Sequence, residues 1–245
     1  MDMNEEKAYP HAAGSALLSR GIIENALSQG RAPTEPEAWE IMEAYGIAMP
    51  PHRLVRSAGE AAEAAEALGC PLVLKVVSRD ILHKSEAGGV RLGLESADAA
   101  REAYIGIMDS VAVYHPRARI EGALAYGMLP AGGVECIVGM TRDPSFGPAM
   151  MVGLGGVYVE ILKDVALRVL PISKADAEEM VNELKGVSLL KGARGAEPSD
   201  VGALADVIMK AARIAEENPR IMEIDLNPCI VYGKGAFPVD ARILT

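Results

Sequence analysis

The sequence predicts an α/β protein with a small separate lobe and a larger antiparallel sheet, and three observations predict it. Hydrophobic residues make up 50% of the 245 and aromatics only 4%, so the core leans on Ala, Val, Leu, Ile and Met, a composition common in helix-over-sheet proteins. Residues 47–116 read as a strand, a loop, a second strand and a helix, enough for a lobe of their own. From residue 118 onward, short β-branched runs follow one another with tight Gly and Asp-Pro turns, the pattern of an antiparallel sheet.

The elements follow in order. Residues 15–27 open the chain as a helix and stop at the turn Gln29-Gly30. Thr34 and Glu37 form a T-x-x-E capping box for a second helix, which carries Trp39, Met42 and Tyr45 and ends at Gly46. Pro50-Pro51 closes that unit. Ser57 and Glu60 make another box for an Ala/Glu helix ending at Gly69. The run PLVLKVV (residues 71–77) is short, β-branched and bounded by turn signals, hence a buried strand. A loop over 78–89 leads to the strand VRLGL and a helix begun near Ser96. The strands ARIEGALAYGML, VECIVGMT, PAMMVGLGG and VALRVLPI come next, then helices opened by Ser173 and Ser199. The stretch MEIDLNPCIVYGKGAFPVDARIL closes the chain as a hairpin. The expected division is an N-terminal helical part (1–46), a lid lobe (47–117) and a core (118–245).

The net charge of −10 argues against nucleic acid as a partner, since phosphate neutralisation needs a basic face. It leaves mononucleotides open, because a few local donors and a metal ion hold them. Cys70, Cys136 and Cys229 follow no metal or disulfide spacing. The first residues are acidic and lack an apolar core, so they do not form a signal peptide. The most apolar stretch, GPAMMVGLGGVYVEIL, is too short and too broken by glycine to span a bilayer. A cytoplasmic protein, with no membrane partner, is expected.

Three constellations carry chemistry. In KVVSRDILHKSEAGGVRL, Lys75 sits inside an apolar strand, where an ammonium needs a compensating anion. The following loop holds His83, Lys84, Ser85 and the pair Gly88-Gly89, whose amides could nest an anion. Together they make a candidate polyphosphate clamp; a lysine reaching water from an edge strand is the competing reading. His83, flanked by a cation on a loop, suits an imidazole that accepts and passes on a phosphoryl group, although a loop histidine is more often a solvated residue. In EIDLNP and PVDARI, period two places Glu223, Asp225 and Asn227 on one strand face. A turn at 233–236 would set Asp240 opposite Cys229, on that same face. Two carboxylates and an amide oxygen suit Mg²⁺; a polar sheet face turned to water is the alternative. In GGVECIVGMTRDPSFGPAMMVGLGG, Glu135 suits ribose hydroxyls or the metal shell, and Arg142 could reach phosphate. The run at 153–156 is no dinucleotide fingerprint, because G-x-G-x-x-G is absent.

From about Ile22 to the C-terminus, the chain resembles the ATP-grasp (beta) subunit of ADP-forming acyl-CoA synthetases. Six motifs carry the resemblance in order: TEPEAWEIMEAYGI, PLVLKVVSRDILHKSEAGGV, GGVECIVGMTRDPSFGPAMMVGLGG, EILKDVALRVLPI, LLKGARG, and EIDLNP with PVDARI. The resemblance implies an ATP-grasp fold, an antiparallel core with a small α/β lid. It implies ATP/ADP and Mg²⁺ as cofactors and a CoA-binding alpha subunit as partner, since no CoA-binding domain precedes or follows. Lys75 would meet the phosphates, with Gly88 and Gly89 beside it, and Glu135 and Arg142 would belong to the nucleotide site. Ala125, Tyr126 and Met128 would lie beside the adenine, in a segment, AYGMLPAGG, that departs from the family's Gln-before-Met pattern. Asp225, Asn227 and Asp240 would hold the metal, and His83 would be the phosphohistidine carried on a swinging loop. Other ATP-grasp carboxylate ligases, which have no need of His83, and a non-catalytic nucleotide-sensing subunit are the alternatives.

Overall fold

The computed structural model describes residues 12–81, 83–156, 164–195 and 197–245. In chain order its elements are helices α1 (Ala12–Ser28) and α2 (Glu35–Ala44), strand β1 (His52–Val55), helix α3 (Ala58–Leu68), strands β2 (Leu72–Ser78) and β3 (Val90–Leu94), and helix α4 (Ala97–Tyr114). Strands β4 (Ile120–Gly127), β5 (Val134–Asp143), β6 (Gly147–Leu154) and β7 (Val165–Val169) follow, then helices α5 (Lys174–Asn182) and α6 (Val201–Glu217), and strands β8 (Glu223–Val231), β9 (Ala236–Pro238) and β10 (Arg242–Leu244). The expected motif residues 160–163 lie outside the described residues. Two compact units emerge: residues 1–33, 37–48 and 133–245 form one, residues 34–36 and 49–132 the other.

The smaller unit is a four-stranded antiparallel sheet in the order β1-β4-β2-β3. One face packs against α3 and α4: Leu72, Leu74 and Val76 of β2 and Ala123 and Ala125 of β4 join Ala61, Ala64, Ile107 and Val111 in one core cluster. The other face of the same strands carries Val73, Lys75, Val77, Leu124 and Tyr126, also buried. Burial on both faces explains why residues 71–77 read as a nearly unbroken apolar run, and each such aliphatic side chain contributes about 1.5–3 kcal/mol. Ser57 and Ser96 cap α3 and α4 by accepting the Glu60 and Ala99 amides, each at 3.1 Å. The Glu60 carboxylate reaches the Arg56 amide (2.7 Å), one residue before the position a strict box uses. Gly69 ends α3 at φ +85°, a conformation that favours glycine.

The expectation grouped everything from residue 118 with the C-terminal sheet. Strand β4 instead completes the four-stranded sheet, sitting between β1 and β2, so the division by contacts falls after residue 132. Local patterning cannot distinguish the two outcomes, because the pairing partner of an antiparallel strand is a long-range choice.

The larger unit is a six-stranded antiparallel sheet in the order β10-β8-β5-β6-β7, with β9 also on β8. Helix α6 lays Leu204, Ile208, Ala211 and Ala215 against it at helical spacing. Asp200, one residue after the expected Ser199, caps α6 by accepting the Ala203 amide at 2.9 Å, and its other oxygen accepts the Gly235 amide at 3.1 Å. Helix α5 has the full capping box, Ser173 with Asp176. The Tyr45 hydroxyl, Ser19 and the Asn218 side chain form a buried polar network joining the first two helices to the end of α6. Glu37, expected in a box with Thr34, holds Arg31 in a two-point ion pair at 2.5 and 2.7 Å. Among the described residues, no helix is long and apolar enough to cross a membrane.

Candidate functional site

In the smaller unit, chemistry gathers on the buried sheet face and the loop after β2. Lys75 is 6% exposed, and its ammonium donates to the Glu35 carboxylate at 2.8 Å while lying 5.6 Å from the Tyr126 ring centre. The anion that burial demands is therefore Glu35, at the start of α2 and 40 residues away in sequence. Sequence reasoning missed it; the signal was an acid inside the T-x-x-E of the expected capping box. Glu35 also accepts from Lys84, so one carboxylate holds the strand lysine and the lysine that follows His83.

The loop is tied at both ends. Before His83, the Asp80 carboxylate accepts the Arg119 amide at 2.7 Å, Arg79 pairs with Glu121 at 2.9 Å, and Ile81 is buried in the core cluster. After it, the Gly89 amide donates to the Lys84 carbonyl and the Gly89 carbonyl accepts from Val76, both at 2.7 Å. His83 itself is exposed, its carbonyl accepting from Ala87 at 3.1 Å.

This corrects the anion-nest expectation for the glycines. The Gly88 amide donates to Ser85 (3.0 Å) and the Gly89 amide to Lys84, so both are engaged inside the turn. Their small size serves packing: a Cβ on Gly89 would stand 2.4 Å from Val76 Cγ1, and one on Gly88 2.9 Å from Ser110 Cβ.

The expected adenine strand divides by face. Ala125 is fully buried in the core cluster and pairs with Arg53 and Leu74 on either side, so neither its side chain nor a free strand edge is available to a base. Tyr126 points to the Lys75 face, and Met128, just past the strand, is 42% exposed. That correction follows from β4 being an inner strand of its sheet.

In the larger unit, the acids of β8 fall as the period-two reading requires. Ile224 and Leu226 are buried while Glu223 and Asp225 are half-buried and Asn227 exposed. The hairpin turn is Tyr232–Gly235, closed by the Tyr232 amide on the Gly235 carbonyl (3.0 Å), with Gly235 at φ +91°. Pro238 therefore faces Cys229, where Asp240 was expected. The register is two residues from the expected one, and an irregularity of β8 against β5 between Leu226 and Cys229 leaves Cys229 fully buried, off the face of Asp225. Arg242 pairs with Asp225 on the far flank and the Val239 amide donates to the Pro228 carbonyl at 3.0 Å, which sets Asp240 level with Asn227. Burial raises the Asp225 carboxyl above its ordinary range; Arg242 opposes this, and the Asp240 and Glu223 charges add to it. Glu223 is paired with Arg242 at 2.5 Å. Asp225 and Asn227 of β8, with Asp240 near enough for its charge to act on Asp225, offer two carboxylates and an amide oxygen, an all-oxygen donor set that fits Mg²⁺. Among the described residues, no three His, Cys, Asp or Glu side chains converge as a metal cluster.

Glu135 is exposed and lies over the glycine turn after β6: its carbonyl accepts the Gly155 amide at 2.7 Å, and a Cβ on Gly155 would meet its Cβ at 2.9 Å. Arg142 does not reach outward as expected. Its guanidinium donates to the Ile221 and Ala215 carbonyls, each at 3.0 Å, tying the end of α6 to the turn before β8.

A two-layer α/β lobe with a buried lysine, together with an antiparallel unit with strand-borne acids, is the content of an ATP-grasp domain, and that family matches residues 25–244. The ADP-forming acetate–CoA ligase I subunit beta of Pyrococcus furiosus is 49% identical over 226 residues, 92% of this chain and 97% of that one. A chain of Ca. Korarchaeum cryptofilum acetyl-coenzyme A synthetase 1, solved with coenzyme A, Ca-AMPCP and HgCl⁺, superposes with a TM-score of 0.89 at 46% identity, over 92% of this chain and 99% of that one. Its form with coenzyme A and Mg-AMPPCP, described with the phosphohistidine segment pointing towards the nucleotide binding site, superposes at 0.81 and 43% identity over 92% and 99% of the two chains. The chain belongs to the beta-subunit family of ADP-forming acetate–CoA ligases.

Proposed function

We propose that this chain is the nucleotide-binding subunit of an ADP-forming acyl-CoA synthetase, in which His83 carries a phosphoryl group from a CoA-binding partner subunit to ADP. The balance is acyl-CoA + ADP + phosphate to acid + ATP + CoA. The observation that carries this reading is an exposed imidazole at position 83 between two tethered ends, with Lys84 beside it and Lys75 on the same carboxylate. The related beta subunit supports it by name, and the related Korarchaeum structure by its phosphohistidine segment.

In the ATP-forming direction, an oxygen of the ADP β-phosphate attacks the phosphorus on the ring nitrogen. The N–P bond breaks, and its electron pair returns to the ring, leaving neutral imidazole when the other nitrogen keeps its proton. Asp225, Asn227 and Asp240 would hold Mg²⁺, which would supply charge neutralisation of the phosphates. Lys75 presents an ammonium to them from a site where its rotamer is held by Glu35 and Tyr126. Glu135 and Tyr126 are the remaining nucleotide contacts in this reading, with Met128 at the adenine. A reducing, cytoplasmic compartment suits the three free cysteines, two of which, Cys136 and Cys229, face each other across paired strands.

The test is phosphoryl labelling. The assembled enzyme incubated with Mg²⁺ and γ-labelled ATP should carry acid-labile, base-stable label on this chain, and the His83→Asn variant none. Equal label on the variant, or wild-type turnover by His83→Ala assembled with its partner subunit, would refute the proposal.

A further inference from the structure

We infer that Glu35 is a positioning residue for phosphoryl transfer: it latches the histidine-bearing segment through Lys84 while fixing the Lys75 ammonium. The inference rests on the proposed role of His83. Three observations carry it. Glu35 is 8% exposed, and its two oxygens are divided between the two lysines, Oε1 to Lys75 and Oε2 to Lys84. Lys84 is also the main-chain anchor of the turn, because its carbonyl takes the Gly89 amide whose own carbonyl is bonded to β2. On the other side, Asp80 is bonded to Arg119 and Ile81 is buried in the core cluster, so His83 has a second tether just before it in sequence. The position of His83 is thus set by how firmly Lys84 is held, and its side chain is held by Glu35.

The charges give the inference a signature that loss of folding would not produce. One carboxylate faces two ammoniums beside the segment. Neutralising Glu35 takes a negative charge away from both ammoniums, which favours a polyphosphate, and at the same time unpins Lys84, which misplaces the imidazole. Binding and transfer should therefore move in opposite directions.

The experiment measures the rate and half-saturating ATP concentration of His83 labelling in the assembled enzyme with Mg²⁺, for wild type, Glu35→Gln, Lys84→Met and the double variant. Glu35→Gln should slow labelling at saturating ATP by about tenfold or more, the scale on which small misplacements act. Its half-saturating ATP should stay the same or fall. Lys84→Met should also slow labelling, and the double variant should be no slower than the slower single one. Trypsin should cut after Lys84 faster in Glu35→Gln than in wild type, as read by mass spectrometry. Labelling within twofold of wild type, a rise in half-saturating ATP that parallels the loss, or additive effects in the double variant would overturn the inference. If Glu35→Gln fails to fold, Lys84→Met alone decides, since it leaves the Glu35–Lys75 pair in place. An unlabelled wild type would sink the role of His83 instead, and tryptic cutting would then decide the latch by itself.

Discussion

Gly89→Ala offers a sharp test of how the loop is held. The added Cβ would lie 2.4 Å from Val76 Cγ1 and 3.0 Å from the Lys84 carbonyl oxygen. Ordinary carbon–carbon contact is about 3.5–4.0 Å, so the first overlap exceeds about 1 Å. Neither neighbour can retreat cheaply. Val76 is fully buried in the core with Leu72 and Leu74, and the Lys84 carbonyl already accepts the Gly89 amide. Overpacking of this kind costs about 1–3 kcal/mol. Urea unfolding followed by far-UV circular dichroism measures it. The mechanism is isolated by Val76→Ala, which removes the clashing methyl: the pair Gly89→Ala and Val76→Ala should be less destabilising than the sum of the two, by at least about 0.5 kcal/mol. Gly93→Ala is the control, at φ +68° with nothing within 4 Å of its added Cβ, so its cost is backbone strain alone and should add to that of Val76→Ala. A Gly89→Ala cost below about 0.5 kcal/mol, or strict additivity with Val76→Ala, would refute the reasoning.

Two further outcomes are expected. Asp225 is an acid whose folded pKa lies above its unfolded value, so its contribution to stability is greatest at low pH and is lost as pH rises through that raised value. Asp225→Asn should therefore be at least as stable as wild type without Mg²⁺ at pH 7, with any advantage gone below about pH 4, while the thermal shift given by Mg²⁺ with a nucleotide is lost; an undiminished shift refutes the ligand assignment. Arg142→Met leaves two carbonyls without their donor and should cost about 1–3 kcal/mol in unfolding experiments. Half-saturating ATP should be unchanged, and a large rise would restore the phosphate role that the structure does not support.

The sequence alone determined whatever depends on neighbours along the chain. The serine caps of α3, α4 and α5 follow from a hydroxyl within reach of an amide three residues on. The common face of Glu223 and Asp225 follows from the two-residue period of a strand, and a misplaced hairpin turn leaves it untouched because both acids lie on one strand. The resemblance carried by six ordered motifs identified the ATP-grasp family without any coordinates. The tertiary structure decided everything that depends on which distant segments meet. Strand β4 gives no local sign that it pairs with β2, and this pairing buries Ala125 away from any ligand. Arg142 reads as a free cation until α6 brings its terminal carbonyls alongside. The anion beside Lys75 is Glu35, 40 residues earlier. A buried charge announces that it needs a partner, and only the packed chain shows which one it has.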